Sequence, residues 1–306
     1  MTHTPTKINI NSEVGTLRKV LLHRPGAEVE NMTPRDAQRA LYSDILNLNI
    51  AKEEYKQLEG VLSKVAEVVY VKDLLKKVLD NDLERQSLIG KICVLEGVTN
   101  YFDTLMQMPS QELARVLIEG LPSRMDSLTA FLNEDHYALF PLYNFYFTRD
   151  ASVTIGNNAL ICRMANNVRM RESLIMEAIY KGSGEFQCGI INAHNFQPGN
   201  KDIYMEGGDI LIAREDILLI GNGVRTSTQG IDMLVANLCH SAPEGRRHII
   251  VQQLPSTPES FIHLDMVFTL LDHNKCMVFE PLILKDNQYQ TVHITIDNGR
   301  VTKINR

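Results

Sequence analysis

The 306-residue sequence predicts an α/β protein built from repeated ββαβ units, with a helical domain inserted into the series. Three observations carry this prediction. Asp150 and Arg169 lie 19 residues apart, Glu206 and Arg225 are again 19 apart, and the two pairs are offset by 56 residues. Asp209 and Asp265 repeat that offset of 56. Between these markers the same order recurs: a short strand, a turn, a second strand, a helix and another strand.

The elements follow in chain order. Residues 13–25, EVGTLRKVLLHRP, read as a strand closed by Pro25. Residues 46–65 carry apolar positions at the helical period, and AEVVYV at 66–71 reads as the next strand. Residues 72–140 change character. Leu74, Leu75, Val78 and Leu79 form one helical run, and Leu113, Val116, Leu117 and Ile118 another. Pro109-Ser110-Gln111-Glu112 reads as a helix start and Gly120 as a stop. This segment is the predicted helical insertion, so the α/β domain is expected to comprise 1–71 and 141–306.

From Asp150 onward the units open with ASVTI, ILIA and MVFTLL and turn at Gly156-Asn157-Asn158, Arg214-Glu215-Asp216 and Asp272-His273-Asn274. Their second strands are ALICRM, ILLIG and CMVFEP. In the first two units a helix (RESLIMEAIYKG; TSTQGIDMLVANLCHS) and a strand (CGIINAH; HIIVQQLP) complete the pattern. The unit opening at Asp265 does not finish. No helix pattern follows Pro281, and 288–304 alternates as strand with a hairpin turn at Asp297-Asn298-Gly299. Units that close a ring bury their faces against each other. The chain is therefore expected to be incomplete at its C-terminus.

Composition narrows the function. Lysine plus arginine is 31 and aspartate plus glutamate 37, for a net charge of −6, which argues against an extended nucleic-acid surface. No apolar run approaches the ~18 residues of a membrane span. Residues 1–10 lack the apolar stretch of a signal peptide. The five cysteines, Cys93, Cys162, Cys188, Cys239 and Cys276, are scattered without a C-x-x-C pair, which fits free thiols in a reducing cytoplasm.

Acidic residues at equivalent unit starts converge if the units are arranged radially. That would gather Asp150, Glu206 and Asp265, with His263 two residues before Asp265 on the same face of the strand, and Leu264 facing a packing layer. Clustered carboxylates repel each other unless a cation fills the site. A guanidinium pairs bidentately with carboxylates, and Arg169 and Arg225 on the rim would suit a carboxylate at the ligand's other end. The implied ligand is arginine or a close relative.

The strings NFYFTRD (144–150), Arg169, EGGD (206–209), GNGVRT (221–226) and HLD (263–265) together resemble the arginine deiminase family. VGTLRKVLLHRPG (14–26) and MTPRDAQRALYSDIL (32–46) extend the resemblance over essentially the whole chain. It implies a pentein-type α/β propeller of five units, with a helical domain inserted after the first. It implies hydrolysis of L-arginine to L-citrulline and ammonia through a covalent cysteine intermediate, without metal or cofactor. Asp150 and Asp265 would hold the guanidinium, and Glu206 would support that grip and polarise the reacting carbon. His263 would be general acid, then general base. Asn144, Arg169 and Arg225 would bind the amino-acid end, with the Phe147 backbone lining the pocket. A small-molecule substrate and a homo-oligomer are expected, with no nucleic acid and no membrane partner.

Two departures stand out. The resemblance places the family's nucleophilic cysteine and the arginine before it in a last repeat, which this chain is expected to lack. Tyr42-Ser43-Asp44 stands where many members show Phe-Asp-Asp. Duller explanations exist for single motifs. Gly207-Gly208-Asp209 alone is an ordinary turn. Gly221-Asn222-Gly223 is no dinucleotide fingerprint, because position 226 is threonine. Cys276, in the apolar context KCMVFEP, is expected to be a buried inert thiol. An arginine-binding protein without turnover, and more weakly a metal-dependent amidinohydrolase using His263 and Asp265, remain alternatives.

Overall fold

Apolar residues at helical spacing build the first of the two units into which the chain divides, described here from a computed structural model covering residues 4–32, 46–132, 136–192, 202–241 and 245–306. The first unit comprises Met1–Pro5, Leu17–Thr148 and Asn166–Phe186, and the second Thr6–Thr16, Arg149–Ala165 and Gln187–Arg306. Tyr42-Ser43-Asp44 lies outside the described residues.

In the first unit, helix α1 (Leu48–Leu62) starts at Asn47, whose side chain accepts from the backbone N–H of Asn49 and Ile50. Helix α2 (Val71–Leu79) buries Val71, Leu74, Leu75, Val78 and Leu79, one stripe at the helical period. Asn81 caps α3 (Asp82–Glu96) in the same way, and left-handed Gly97 ends it. Helix α4 (Ser110–Glu119) buries Leu113, Val116, Leu117 and Ile118 and stops at Gly120, where φ is 97°. Helix α5 (Met170–Gly182) packs against α2 and α3 and is buried over most of its surface. Strand β1 (Lys19–Leu22) pairs in parallel with β2 (Glu67–Tyr70). The strand expected over 13–25 is thus four residues long, because β2 gives way to α2 at Val71 and offers no further partners.

The second unit carries the repeat. Strands β3 (Ser152–Ile155) and β4 (Asn158–Ile161) form an antiparallel hairpin, and β5 (Gly189–Asn192) lies parallel to β4. Strands β6 (Ile210–Arg214) and β7 (Ile217–Asn222) repeat the hairpin. Helix α6 (Thr228–Ser241) then leads to β8 (Arg246–Gln253), parallel to β7 with Ile217 opposite His248. The alternation of antiparallel hairpin and parallel return is what a ββαβ unit requires, since a parallel partner needs a crossover. Ile210, Leu211 and Ile212 are consecutive and all buried, so β6 is covered on both faces.

The third hairpin, β9 (Phe268–Asp272) with β10 (Lys275–Val278), follows the pattern, but the chain then departs from it. Strand β11 (Thr291–Asp297) pairs antiparallel with β8, and β12 (Arg300–Asn305) pairs with β11. The sheet order is β6–β7–β8–β11–β12. The turn joining β11 to β12 places Asn298 and Gly299 at φ 48° and 73°, the two positive values that a type I′ hairpin turn needs. With only the short helix Glu280–Ile283 between β10 and β11, the last strands finish the second unit's sheet rather than the third hairpin. One consequence corrects an expectation: Cys276 is exposed, like Leu271 and Met277 beside it. Its apolar neighbours stand on a two-stranded ribbon that no further strand extends among the described residues. No helix among the described residues is long and apolar enough to cross a membrane.

Candidate active site

Two short turns place the central residues of the second unit. Glu206 is extended, at φ −125° and ψ 146°, immediately before the 3₁₀ turn Gly207–Asp209 that leads into β6. His263 is extended, at φ −130° and ψ 151°, before the 3₁₀ turn Leu264–Met266 that precedes β9. The two residues thus occupy the same station in successive units. Asp150 comes from the short helix Thr148–Ala151 that runs directly into β3.

These three side chains meet. His263 Nε2 lies 3.1 Å from Glu206 Oε2, and its Nδ1 lies 4.0 Å from Asp150 Oδ1. Glu206 has no exposed surface, and the His263 side chain is 9% exposed. The ring rests on Gly208, where a Cβ would sit 2.6 Å from Nδ1, so only glycine leaves room for it. Glu206 Oε1 accepts from the Ala165 N–H at 3.0 Å, and the Glu206 N–H donates to Thr226 Oγ1 at 3.2 Å. Arg225 Nη1 stands 3.7 Å from Glu206 Oε1. Burying the carboxylate is therefore compensated by an imidazole, a backbone donor and a guanidinium.

Behind the histidine lies Asp209, fully buried. Its Oδ1 accepts from the Leu264 N–H at 2.9 Å, tying the turn after Glu206 to the turn after His263. Burial pushes its carboxyl up to about 7, with the charge of His263 opposing. Burial alone would lower the His263 value. The hydrogen bond to Glu206, and then the charges of Asp209, Asp150 and Glu206, outweigh it and raise the ring to about 9. At neutral pH His263 is an imidazolium able to give a proton away.

Asp265 differs from expectation. It belongs to a 3₁₀ turn, not a strand, so the alternation that would put it on the face of His263 does not operate, and it reaches solvent. It is nonetheless electrostatically part of the group: although the residue reaches solvent, the atoms crowded around its carboxyl raise it, His263 opposes, and Asp150 adds to the rise. Leu264 is buried as expected, in an apolar cluster with Leu211, Leu254, Val267 and Leu282.

The remaining candidates, Asn144, Phe147 and Arg169, belong to the first unit. Arg169, buried at the start of α5, holds Glu172 through Nε at 3.0 Å and Nη2 at 2.8 Å, and donates to the Asn144 carbonyl at 3.3 Å. Arg169 and Asn144 line a small recess with Phe140, Pro141, Tyr143, Val168 and Glu172. Phe147 is exposed, and its N–H donates to the Asn144 carbonyl at 3.0 Å. Both arginines foreseen as anchors for a carboxylate thus already face a glutamate.

One ligand atom from each of Asp150, Glu206 and His263 lies within 4.8 Å of the others, a spacing that would also hold a metal ion. The donor set fits a metal poorly. The two ring nitrogens turn toward different carboxylates, so no single nitrogen is left to stand with both carboxylates around one ion. A planar organic cation asks for carboxylates and no free nitrogen, which is what the site provides. A shallow groove lined by Asn222, Gly223, Gln253, Leu254, Gln288 and Tyr289 contains none of these residues.

Sequence reasoning missed Asp209 as a partner, although its offset of 56 from Asp265 marked it. It also missed Cys162, which neighbours Glu206 and Asp150 electrostatically. That thiol is fully buried, and burial followed by those two charges pushes it well above the usual range, which makes it a poor nucleophile.

The sequence profile of the family described as arginine deiminase matches residues 38–306. Arginine deiminase 1 of Staphylococcus epidermidis is 32% identical over 306 residues, covering 96% of this chain and 74% of that protein. Arginine deiminase of Borrelia duttonii is 32% identical over 305 residues, covering 95% of this chain and 73% of that protein. Among solved structures, DDAH from Pseudomonas aeruginosa, as a mutant complexed with citrulline, has a TM-score of 0.49 at 14% identity, covering 86% of this chain and 70% of that one. A mutant of AgrE with L-arginine has a TM-score of 0.48 at 15% identity, covering 87% and 27%.

Proposed function

The chain belongs to the arginine deiminase family, and from that premise we propose that its second unit takes the guanidinium of L-arginine for hydrolysis to L-citrulline and ammonia. The observation that carries the reading is the buried contact of His263 with Glu206 beside Asp150, a negatively charged cradle with an acid already protonated. Asp150 and Asp265 pair with the guanidinium nitrogens, and Glu206 faces the reacting carbon. Arg225 serves the amino-acid end, exchanging Glu206 for the ligand's carboxylate.

In the covalent route a thiolate adds to the guanidinium carbon. His263 gives its proton to the departing nitrogen, the C–N bond breaks and ammonia leaves. The neutral imidazole then takes a proton from water. The hydroxide adds to the same carbon, the C–S bond breaks to release the thiolate, and the proton left on the new carbonyl oxygen passes to the freed ammonia, giving citrulline and ammonium.

Of the five cysteines, Cys93, Cys162 and Cys276 do not suit the thiolate's role. Cys162 is buried with its thiol value raised, Cys93 is buried in the first unit, and Cys276 is exposed on the β9–β10 ribbon. That favours, as a second reading, arginine binding without turnover by this chain. We further read the protein as a cytoplasmic homo-oligomer. The division into an α/β part (1–71 with 141–306) and a helical insertion (72–140) rests on the repeated hairpin-and-return pattern.

The experiment measures arginine binding by calorimetry and citrulline formation with arginine in excess, each with and without a chelator. Binding that disappears in Glu206→Gln and is indifferent to chelator supports the reading. Turnover abolished by chelator would replace it with the amidinohydrolase. Turnover lost in Cys276→Ala or Cys239→Ala would identify the nucleophile among these cysteines.

A further inference from the structure

One well-built cluster beside the triad has no role in the chemistry above: Glu13 and Arg149. The Arg149 guanidinium reaches Glu13 Oε1 through Nη2 at 2.6 Å and Glu13 Oε2 through Nη1 at 3.2 Å. Its Nε donates to the Gly207 carbonyl at 3.1 Å, and Nη2 donates to the Ile210 carbonyl at 2.6 Å. The fork thus grips both ends of the 3₁₀ turn that Glu206 precedes. The backbones press together at the same place, since a Cβ on Gly207 would lie 1.9 Å from the Arg149 carbonyl oxygen. Glu13 is itself held, because its Oε1 accepts from the Ile212 N–H at 2.9 Å and its own N–H donates to the Ile212 carbonyl at 2.9 Å.

We propose that Arg149 and Glu13 are positioning residues, a clamp that sets the spacing of Asp150 and Glu206 around His263 and makes the N-terminal segment part of the site. Asp150 follows Arg149 directly, and Glu206 directly precedes Gly207, so the clamp acts one residue from each carboxylate. The segment Thr6–Thr16 carries Glu13 into place through Ile8 N–H to Gln187 O at 3.1 Å and reciprocal Ile10–Gly156 bonds at 2.9 and 2.7 Å. Glu13 has a second effect. It occupies a cation that lies next to Asp150 and whose charge Asp265 senses, and so leaves those carboxylates for a ligand. A lysine cannot take over, because a single ammonium cannot reach two backbone carbonyls and both carboxylate oxygens in one plane.

The test reads the His263 ring titration by NMR and arginine affinity by calorimetry in the full chain. Variants are Arg149→Gln, Arg149→Lys and Glu13→Gln, with Arg214→Gln, from the exposed pair with Asp216, as control. The affinity arm rests on the reading of the triad as an arginine site; the titration arm does not. Arg149→Lys, which keeps the charge and loses the fork, is expected to lower the His263 midpoint by about one pH unit; both Arg149 variants should weaken arginine about tenfold, Glu13→Gln about threefold, and the control by less than about twofold. Full rescue by Arg149→Lys would reduce the clamp to simple charge and overturn it. So would an unchanged His263 midpoint in Arg149→Lys and Glu13→Gln. If Arg149→Gln does not fold, Glu13→Gln decides by the same two readouts. If the wild type binds no arginine, the arginine reading fails, and the titration still decides the clamp.

Discussion

Raising the pH from about 6 to about 10 removes the proton that the site holds on His263, and the structure fixes what that costs. The ring's folded value is about 9 against an ordinary 6.5. Burial opposes the proton; the Glu206 hydrogen bond, then Asp209, Asp150 and Glu206 as charges, more than offset it. A group that binds its proton more tightly when folded stabilises the fold fully below the unfolded value of 6.5. That contribution falls away as pH rises through 6.5 to about 9. The gap corresponds to about 3 kcal/mol, and with a side chain only 9% exposed, solvent screening removes little of it. Asp209, raised by burial to about 7, acts in the same direction but loses its share between 3.8 and about 7, mostly below this window. The assay is urea unfolding followed by circular dichroism, since the chain has no tryptophan, for the wild type and His263→Gln at about pH 6, 8 and 10. Taking the difference between the two proteins cancels the groups that titrate in this range independently of His263; Asp209, which loses the opposing charge of the ring in the variant, does not cancel. That difference should shrink by about 3 kcal/mol from the lowest to the highest pH. A difference constant to within about 0.5 kcal/mol, or a His263 midpoint at or below 6.5 by NMR, would refute the reasoning.

Four further outcomes are expected. Asp150→Ala should weaken arginine binding by ~3–5 kcal/mol in calorimetry, because it unpairs a largely buried cation, whereas Asp265→Ala, at an exposed position, should cost about 1 kcal/mol or less. Gly208→Ala should lower the His263 NMR midpoint toward 6.5, since the new methyl takes the space of the ring and separates it from Glu206. A thiol reagent applied to the folded chain should modify Cys276 and spare Cys162, read by mass spectrometry of the peptides. Leu75→Ala, deep in the α2 stripe, should cost ~2–5 kcal/mol in urea unfolding, and Leu83→Ala on the exposed face of α3 less than about 0.5 kcal/mol.

Features written into near neighbours in the chain were legible without coordinates. The stripe Leu74, Leu75, Val78 and Leu79 announces α2, because a helix presents those positions on one face whatever covers them. Asn298-Gly299 announces its hairpin, because few residues adopt two successive positive φ angles. The offset of 56 announces the repeat, and the repeated pairing of β3–β4–β5 and β6–β7–β8 follows from it, although Asp150, in a short helix, and Glu206, in extended chain, approach their strands differently. Partners distant in sequence were decided only by the folded chain. No local pattern joins Glu13 to Arg149, 136 residues away, or to Ile212, 199 away, because an ion pair or hydrogen bond of that reach depends on how intervening elements pack. Burial behaves the same way. Cys276 has apolar neighbours yet lies exposed, and Asp265 sits two residues from a buried histidine yet reaches water, because exposure depends on what is stacked above a residue. The pairing of β11 with β8 is likewise a choice among possible partner strands, and alternation, which marks a strand, says nothing of whose edge it covers.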